Sequence, residues 1–599
     1  MKIKLSDYVF KFLASAGVKD VFLLPGGGCM HLVDSLGQRE DINYICCLHE
    51  QAAVIAAEAY GQYTNRFGVA LVTTGPGSTN AITGVVGAWI DSTPLLVLSG
   101  QVKRQDMLRN VGVRQMGIQE VDIISIVKPN TKYAVTVLEP EMIKYHLQEA
   151  LNLATTGRKG PVWIDIPLDV QGSVIEEDDL EEFRPPVAKG NRAELNSKAQ
   201  KALKLLAQAT RPVILLGNGV RQSGAWKDFS KIIDLLRIPV LVTWKAADMM
   251  YENHPLYCGK PGVIGQRGAN FVQQNADWIM TLGARLDLCQ VAHSYPNFAR
   301  AAKKIIIDID GAEIKKLKTF GMNIDVQVNA DIGCFLKELL VFLEEKTIKD
   351  YREWLDRCLQ WKKQYPVVLP EYKKSKGLIN PYVLLDVLSD ILEEDDLIVP
   401  GSSGACAELT QQAYRLKQGQ RILNTPGLGA MGFGLPASMG ACLASGRRRT
   451  ISIIGDGGLQ HNIQELETLS RLQLPIKIFI LNNNGYGSIK AMQENHFNSR
   501  YVCCNAQSGL TLPDICRIAT AYGLKATRIK NQKNLKEKVL EVIRTEGTMI
   551  CDLLVDPDIP TSPRVSSQVL PDGRIVSAPM EDLWPFLDRN EFASIQHDE

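Results

Sequence analysis

Two apolar segments in the last third of the chain end in residues that bind hard cations and phosphates. Thr450–Ile454 runs into Gly455-Asp456-Gly457-Gly458, and Ile476–Leu481 runs into Asn482-Asn483-Asn484-Gly485. Glycines after a strand let the backbone approach a ligand closely, and the N-terminus of the next helix favours phosphate. Magnesium takes about six oxygen ligands, so one carboxylate, one amide oxygen and one backbone carbonyl leave positions for a diphosphate and a water. The pattern predicts such a site, with a pair of ordinary strand-end turns as the plainer alternative.

Two other segments carry patterns that are ambiguous by themselves. Glu50 follows an apolar segment and opens an alanine-rich helix that we predict over Gln51–Tyr60. An acidic residue in that position commonly does no more than stabilise the helix N-terminus. Gly427–Pro436 is too rich in glycine for an ordinary helix or strand. Residue type and position therefore do not decide the chemistry of either segment.

Three blocks of alternating strand-like and helix-like segments would position these residues. The alternation predicts an α/β fold of three domains with mainly parallel sheets. We expect a first domain over residues 1–175, a central domain over 190–345, a third domain over 375–560 and a tail over 561–599. The predicted strands are Val21–Leu24, Asn43–Leu48, Val69–Thr73, Pro94–Ser99 and Val162–Ile166 in the first domain, Pro212–Leu216, Pro239–Thr243, Trp278–Leu282 and Lys304–Ile309 in the second, and Leu397–Val399, Thr450–Ile454, Ile476–Leu481 and Thr548–Leu554 in the third.

The composition narrows the class of protein. The chain has 599 residues, a formal net charge of +1 and no polybasic tail, so its charge does not favour a nucleic-acid partner. Its longest apolar segments fall far short of a membrane span, and its N-terminus lacks the uninterrupted apolar core of a signal peptide. The thirteen cysteines include no CxxC pair. We therefore expect reduced thiols in a cytoplasmic protein.

The spacing of 27 residues from Asp456 to Asn483, with its flanking glycines and asparagines, resembles the diphosphate signature of thiamine-diphosphate-dependent enzymes. Further matches resemble the acetolactate synthase large subunit over most of the chain. The resemblance implies pyrimidine-binding, central and diphosphate-binding domains, and Mg²⁺ held by Asp456, Asn483 and the carbonyl of Gly485. It also implies that Glu50 is catalytic. In this family such a glutamate bonds the pyrimidine ring of the cofactor and promotes the imino tautomer that takes the thiazolium C2 proton.

Other segments match further positions of the same family. Met431 corresponds to the apolar wedge beneath the cofactor, and the carbonyl of Gly429 to the group that holds the aminopyrimidine. Gln119 corresponds to an active-site glutamine, with a catalytic and a substrate-binding role, and Lys132 to a lysine in the substrate channel. The other cofactor contacts that the resemblance implies are Gly26, Gly27, Thr74, Gly75, Asn80, Gly455, Gly457, Gly458, Tyr486 and Gly487, and the other substrate contacts are Gly28 and Met492.

The chain departs from acetolactate synthases at positions that face the diphosphate and the acceptor. Ser402 and Ser403 stand where that family has a Gln-His pair, and their hydroxyls can bond phosphate oxygens instead. Met492 replaces a tryptophan that selects the acceptor, and Ile118 replaces a phenylalanine beside the glutamine. The acceptor pocket has therefore been rebuilt, and the sequence does not name the acceptor.

The central domain leaves flavin binding undecided. Gly283–Asp287 and Ile307–Asp310 resemble the FAD-binding domain of acetolactate synthases, yet Thr243–Asp248 lacks the glycines that the family places near the flavin. A bound FAD would be structural, because carboligation involves no net oxidation or reduction.

The resulting hypothesis is a carboligase that depends on thiamine diphosphate and Mg²⁺. It would decarboxylate pyruvate or a similar 2-oxo acid and transfer the acyl carbanion to a carbonyl acceptor, which could be an oxo acid, an aldehyde or a keto-sugar. The family forms its sites at the subunit interface, so we expect a homodimer or homotetramer. Two alternatives stay open: a decarboxylase or C–C lyase that does not ligate, and a non-catalytic scaffold that binds the cofactor.

Overall fold

The computed structural model describes residues 1–108, 112–186, 191–345, 347–569, 572 and 574–595. Three six-stranded sheets with only parallel pairings follow one another along the chain. The predicted fold class is therefore confirmed. Among the described residues, no helix is both long and apolar enough to cross a membrane.

The first sheet has the strand order β3-β2-β4-β5-β7-β6, and β1 pairs with β8 apart from it. Apolar strands such as β5 are buried along their whole length because helices cover both faces. The elements of this domain are β1 (Lys2–Lys4), β2 (Asp20–Leu23), β3 (Asn43–Cys46), β4 (Gly68–Val72), β5 (Leu95–Gln101), β6 (Tyr133–Thr136), β7 (Pro161–Pro167) and β8 (Val174–Glu176), with helices α1 (Leu5–Ser15), α2 (Met30–Gly37), α3 (Glu50–Thr64), α4 (Pro76–Asn80), α5 (Ile82–Ile90), α6 (Ile123–Val127), α7 (Ile143–Thr155) and α8 (Leu168–Gln171).

The second sheet has the order β11-β10-β9-β12-β13-β14, so the strand order reverses between β9 and β12. The crevice at such a reversal is where open α/β sheets bind ligands. The elements are β9 (Pro212–Leu216), β10 (Val240–Val242), β11 (Tyr257–Gly259), β12 (Trp278–Leu282), β13 (Lys303–Asp308) and β14 (Val326–Asn329), with α9 (Arg192–Gln208), α10 (Gly219–Gln222), α11 (Trp226–Leu236), α12 (Arg267–Gln274), α13 (Gly311–Thr319), α14 (Ile332–Glu344) and α15 (Arg352–Gln364).

The third sheet has the order β16-β15-β17-β18-β20-β19. Neighbouring strands β17 and β18 place the two polar strand ends side by side, since Gly455 pairs with Leu481. The elements are β15 (Leu397–Pro400), β16 (Arg421–Ile422), β17 (Thr450–Gly455), β18 (Ile476–Asn482), β19 (Lys525–Ile529) and β20 (Met549–Leu554), with α16 (Pro381–Ile391), α17 (Glu408–Ala413), α18 (Gly434–Ala444), α19 (Asp456–Leu459), α20 (Glu465–Leu472), α21 (Gly487–His496), α22 (Ile515–Ala521) and α23 (Leu535–Arg544).

The first and third domains pack together through two helices of small residues. A side chain added at Gly440 of α18 would lie 2.0 Å from the backbone oxygen of Ala56 in α3, so glycine is required at this crossing. Beside it, the backbone N–H of Leu48 donates to the carboxylate of Glu465 at 2.8 Å. The helix that begins at Glu50 is thus held against the third domain of the same chain.

The tail packs against the central domain. Its elements are a hairpin of β21 (Ser567–Val569) and β22 (Ile575–Ser577) and the helix α24 (Arg589–Ile595). Met580 and Leu583 are buried, and their backbone oxygens accept hydrogen bonds from Asn270 (2.7 Å) and Arg267 (3.0 Å). The tail is therefore held in a defined position on the central domain, although its amino-acid composition is irregular.

Candidate active site

The third-domain half of the site lies at the carboxyl ends of β17 and β18. Asp456 is buried, and its carboxylate accepts hydrogen bonds from the backbone N–H groups of Gly457 (2.8 Å) and Gly485 (3.2 Å). The side-chain oxygen of Asn483 is buried and has no hydrogen-bond partner in the described part of the chain. The structure therefore brings together the three residues predicted to hold a metal ion.

The electrostatics of this half-site suit a cation. Burial raises the pKa of Asp456 to about 6, although its backbone donors oppose the shift. No lysine or arginine of the described ranges forms an ion pair with this carboxylate. An oxygen without a donor beside a desolvated carboxylate is the arrangement that a hard, oxygen-seeking cation would satisfy. The residues present thus fit Mg²⁺.

Glycines allow close approach of several loops around Asp456. A side chain at Gly429 (φ +64°) would lie 3.3 Å from the backbone oxygen of Ser402, and one at Gly457 would lie 2.3 Å from the ring of Tyr486. A side chain at Gly404 (φ +64°), which follows Ser403, would lie 2.6 Å from the hydroxyl of Ser488. The predicted serine loop, glycine loop and α21 N-terminus therefore converge.

Most remaining third-domain predictions lie on these same loops. Met431 is half-buried between Gly429 and Gly432, and a side chain at Gly487 would lie 2.5 Å from the amide nitrogen of Asn483. Gly455 and Gly458 flank Asp456 at the end of β17. Met492 lies further along α21 and is exposed. The sequence analysis missed Ser488, and its only signal was a hydroxyl directly after a glycine at a helix start.

The first-domain half of the site is built around Glu50. This residue begins α3, its side chain is buried, and Asn80 donates to one carboxylate oxygen at 3.0 Å. The other oxygen faces Gly77, where an added side chain would lie 3.4 Å away. Because glycine has no side chain, this oxygen stays accessible. His49 caps the helix by accepting the N–H of Gln51 at 3.1 Å. The helix start is fixed by local bonds, and one oxygen of Glu50 is left for a ligand.

Loops from four strands surround Glu50. A side chain at Gly28 would lie 2.0 Å from the hydroxyl of Thr74, which is itself buried without a hydrogen-bond partner among described residues. Gly75 (φ +64°) lies against the backbone of Gln119, where a side chain would approach within 2.3 Å. Gly26 lies against Thr73 in the same way, whereas Gly27 faces open space. The predicted first-domain residues therefore share one edge of the sheet, with the exception of Lys132.

Lys132 lies at the opposite edge of that sheet. It directly precedes β6, and its backbone N–H donates to Pro161 at the start of β7. Its ammonium donates to the backbone oxygen of Thr156 at 2.6 Å, and burial lowers its pKa to about 8. The structure does not bring Lys132 to Glu50 and Gln119 within one chain, so its place in a substrate channel stays a prediction.

A cavity of about 1300 Å³ lies where the three domains meet. It opens at the reversal of the second sheet, where Gly217 and Gly283 touch so closely that a side chain on Gly217 would lie 2.1 Å from the Gly283 oxygen. Lys245, in the loop that lacks glycines, is held by Asp91 (3.2 Å) and the backbone oxygen of Asn424 (2.6 Å). Gly427 also lines the cavity, so the glycine-rich loop separates the cavity from the candidate metal site at Asp456.

Comparison with known proteins matches each of the three sheets to one family. The models described as "Thiamine pyrophosphate enzyme" match residues 3–126 with the N-terminal TPP binding domain, 199–339 with the central domain and 402–553 with the C-terminal TPP binding domain. The chain belongs to the thiamine pyrophosphate enzyme family. Similar proteins include the "Acetolactate synthase large subunit" of Cyanidium caldarium, with 33% identity over 90% of this chain and 91% of that protein. They also include the "Probable acetolactate synthase large subunit" of Methanocaldococcus jannaschii (34%, 93% and 92%) and the "Acetolactate synthase isozyme 1 large subunit" of Escherichia coli (31%, 94% and 95%).

In this thiamine pyrophosphate enzyme the two half-sites differ in how their carboxylates are held. The first-domain half holds Glu50 with a side-chain donor, Asn80. The third-domain half holds Asp456 with the backbone donors Gly457 and Gly485. Each half also buries one side-chain oxygen for which the structure describes no partner, that of Thr74 in the first and that of Asn483 in the third.

Proposed function

We propose that the enzyme is a carboligase that decarboxylates pyruvate or a similar 2-oxo acid and transfers the acyl carbanion to a carbonyl acceptor. The observation that carries the proposal is the unpartnered, buried oxygen of Asn483 beside the desolvated carboxylate of Asp456. A scaffold that only bound the cofactor would need this pair of residues, but it would not need a buried acid at Glu50 with one carboxylate oxygen left for a ligand. The acetolactate synthase relatives give no support to the scaffold or to a decarboxylase that does not ligate.

The proposed cofactor ligands divide between the two half-sites. Asp456, Asn483 and the carbonyl of Gly485 would hold Mg²⁺, and the hydroxyls of Ser402 and Ser403 would bond diphosphate oxygens. Thiamine diphosphate supplies the electron sink that lets a 2-oxo acid lose carbon dioxide. The protein supplies position, charge compensation and proton transfer.

Glu50 would hold the proton that the chemistry needs. Asn80 occupies one carboxylate oxygen, and the free oxygen beside Gly77 would carry the proton and face a ring nitrogen of the pyrimidine. A positioned acid of this kind contributes roughly 10²–10⁴-fold to a rate. Gln119, which packs on Gly75 at the same edge, would contact the substrate.

The proposed partner is a second copy of the chain. Large apolar side chains stay exposed beside both half-sites, although water disfavours such patches. Ile118, next to Gln119, is 89% exposed. The other members of this exposed set are Met30, Tyr44, Leu48 and Met116 in the first domain and Leu428, Ile489, Met492 and Phe497 in the third. Burial of both sets against each other would complete one cofactor site from two chains.

For the cavity we propose a dinucleotide cofactor, FAD being the one that the family resemblance suggests. Two observations support this proposal: the size of the cavity, and its place at the reversal of the second sheet, beside the close contact between Gly217 and Gly283. Heating the purified enzyme should release flavin fluorescence into the supernatant. If the protein is colourless and its thermal midpoint rises with ADP but not with FAD, the cavity binds a nucleotide other than a flavin.

The carboligase proposal is tested by product identification. Purified enzyme is incubated with pyruvate, thiamine diphosphate and Mg²⁺, alone and with a panel of aldehydes and ketones. Ligation products are expected together with carbon dioxide. Acetaldehyde as the sole product would establish a simple decarboxylase. Bound cofactor without turnover of any 2-oxo acid would instead favour the non-catalytic scaffold.

A further inference from the structure

Lys245 belongs to the central domain and bonds both of the other domains at the wall of the cavity. It lies in the short helical segment Trp244–Met249, directly after β10. Its side chain is only 16% exposed, so its charge needs partners within the protein. The ammonium donates to the carboxylate of Asp91, at the end of α5, and to the backbone oxygen of Asn424 in the third domain. One cation therefore ties the three domains together.

Asp91 connects this lysine to the glycine-rich loop, which begins at Gly427. The carboxylate of Asp91 is buried, and the structure describes one side-chain donor to it, Lys245. Its other oxygen lies against Gly427, where an added side chain would be 2.5 Å from that oxygen and 2.3 Å from Ile90. The glycine-rich loop therefore begins directly on the carboxylate that pairs with Lys245.

Asn424 connects the same lysine to the turn that carries Gly429. The side-chain amide of Asn424 donates to the backbone oxygen of Trp244 at 3.1 Å, so the two segments bond each other in both directions. The next residue, Thr425, accepts the backbone N–H of Gly429 at 3.0 Å and closes the turn. Gly429 in turn approaches Ser402, whose backbone oxygen would lie 3.3 Å from an added side chain. A shift of Asn424 would therefore reach the proposed cofactor site through one hydrogen-bonded turn.

We propose that Lys245 is a positioning residue for the cofactor: by fixing both Asp91 and the Asn424 carbonyl, it holds the glycine-rich loop in the position that binds thiamine diphosphate. The inference rests on the cofactor site proposed above and is independent of the acceptor that the enzyme uses. Lys245 lines the cavity, which the loop separates from Asp456. It therefore acts through the loop and does not touch the cofactor.

The cofactor affinity of the folded protein tests the proposal. Lys245→Met keeps the length of the side chain and removes its charge and its hydrogen-bond donors. In titration calorimetry at saturating Mg²⁺, binding of thiamine diphosphate should weaken by about tenfold, the effect of one charge-assisted hydrogen bond. C2 proton exchange at saturating cofactor should stay within about threefold of the wild-type rate, because Glu50 and its helix are unchanged. Lys245→Arg keeps the charge and the donors and should bind the cofactor within about threefold of the wild type.

Two further variants separate positioning from stability. Lys245→Met leaves the Asp91 carboxylate buried without its cation, which by itself destabilises a protein. The double variant with Asp91→Asn removes both charges. It should regain most of the lost thermal midpoint and still bind thiamine diphosphate about tenfold more weakly than the wild type.

Gln222→Met is the matched control at the same domain junction. Gln222 also lines the cavity and bonds the first domain, donating to the backbone oxygen of Ser92 at 2.6 Å. The structure describes no bond from Gln222 to the glycine-rich loop. This variant should therefore have a lower thermal midpoint and wild-type cofactor affinity.

Wild-type affinity in Lys245→Met would overturn the positioning role of Lys245. So would a double variant whose affinity recovers together with its thermal midpoint, because the lysine would then serve stability alone. If the wild type itself did not bind thiamine diphosphate with Mg²⁺, the proposed cofactor site would be wrong, and this inference with it.

Discussion

The two half-sites of this enzyme differ in what they need from a ligand. Around Glu50 side chains fix the acid and its helix: Asn80 donates to the carboxylate, and His49 caps the helix that carries it. Around Asp456 the described donors to the carboxylate are backbone N–H groups, and the structure describes no partner for the Asn483 oxygen. The comparison favours a first half that is pre-organised for proton transfer and a second half that a bound cation would complete. Mutations in the first should therefore damage chemistry, and mutations in the second should damage binding.

The largest effect is expected for Glu50→Gln. The amide keeps the shape of the side chain and cannot exchange the proton, so C2 proton exchange of bound thiamine diphosphate should slow by about 10³-fold. Cofactor affinity should change by less than about threefold, as measured by calorimetric titration. Glu58→Gln, two turns further along α3, is the matched control. Exchange at the native rate in Glu50→Gln would remove the catalytic assignment.

Asp456→Ala should have the next largest effect, this time on binding. Loss of the only carboxylate in the proposed metal site should weaken Mg²⁺-dependent binding of thiamine diphosphate by about 100-fold, or roughly 2.8 kcal/mol. Titration calorimetry at fixed cofactor and varied Mg²⁺ measures the change. Asp395→Ala removes a highly exposed carboxylate of the same domain and should bind normally. Unchanged affinity in Asp456→Ala would show that the ion is held elsewhere.

Asn483→Ala sharpens the contrast because the structure describes no partner for the oxygen that this change deletes. Without ligand, the thermal midpoint should stay within about 2 °C of the wild type, since no described hydrogen bond to that oxygen is lost. The increase in midpoint caused by Mg²⁺ and cofactor should shrink, consistent with about tenfold weaker binding. A variant that is destabilised equally with and without ligand would mean that Asn483 is structural.

The smallest effect concerns Glu58, the second buried acid of α3. Burial raises its pKa from 4.5 to about 8, with the Lys245 charge opposing the shift. The raised pKa gives a stability contribution that is fully present below pH 4.5 and is lost as the pH rises towards about 8. Glu58→Gln should therefore be more stable than the wild type at pH 9, with a thermal midpoint that is higher by a few °C, and should differ little from it at pH 5. Thermal melts across this range provide the measurement, and a pH-independent difference would refute the assignment.

The central strands were predictable from local sequence, whereas among the edge strands of the three large sheets only β3 was predicted, as Asn43–Leu48. The predicted strands Pro212–Leu216 and Trp278–Leu282 match β9 and β12 residue for residue. In the three six-stranded sheets the sequence analysis missed β6, β11, β14, β16 and β19, and each is at the edge of its sheet. It also missed the four strands of the two small sheets, β1, β8, β21 and β22. Edge strands are short and partly exposed, as in the alternating burial of β14, so they lack the continuous apolar run of a doubly covered strand.

The sequence by itself determined which residues stand at the carboxyl ends of the central strands, and so the proximity of Asp456 and Asn483. Chain direction in a parallel sheet carries all strand ends to one edge, and this rule needs no knowledge of packing. Only the tertiary structure decided that Lys132 lies at the opposite edge and that Lys245 meets Asp91 and Asn424. Those relations join residues that are distant in the chain, where domain packing rather than local pattern sets which polar atoms find partners.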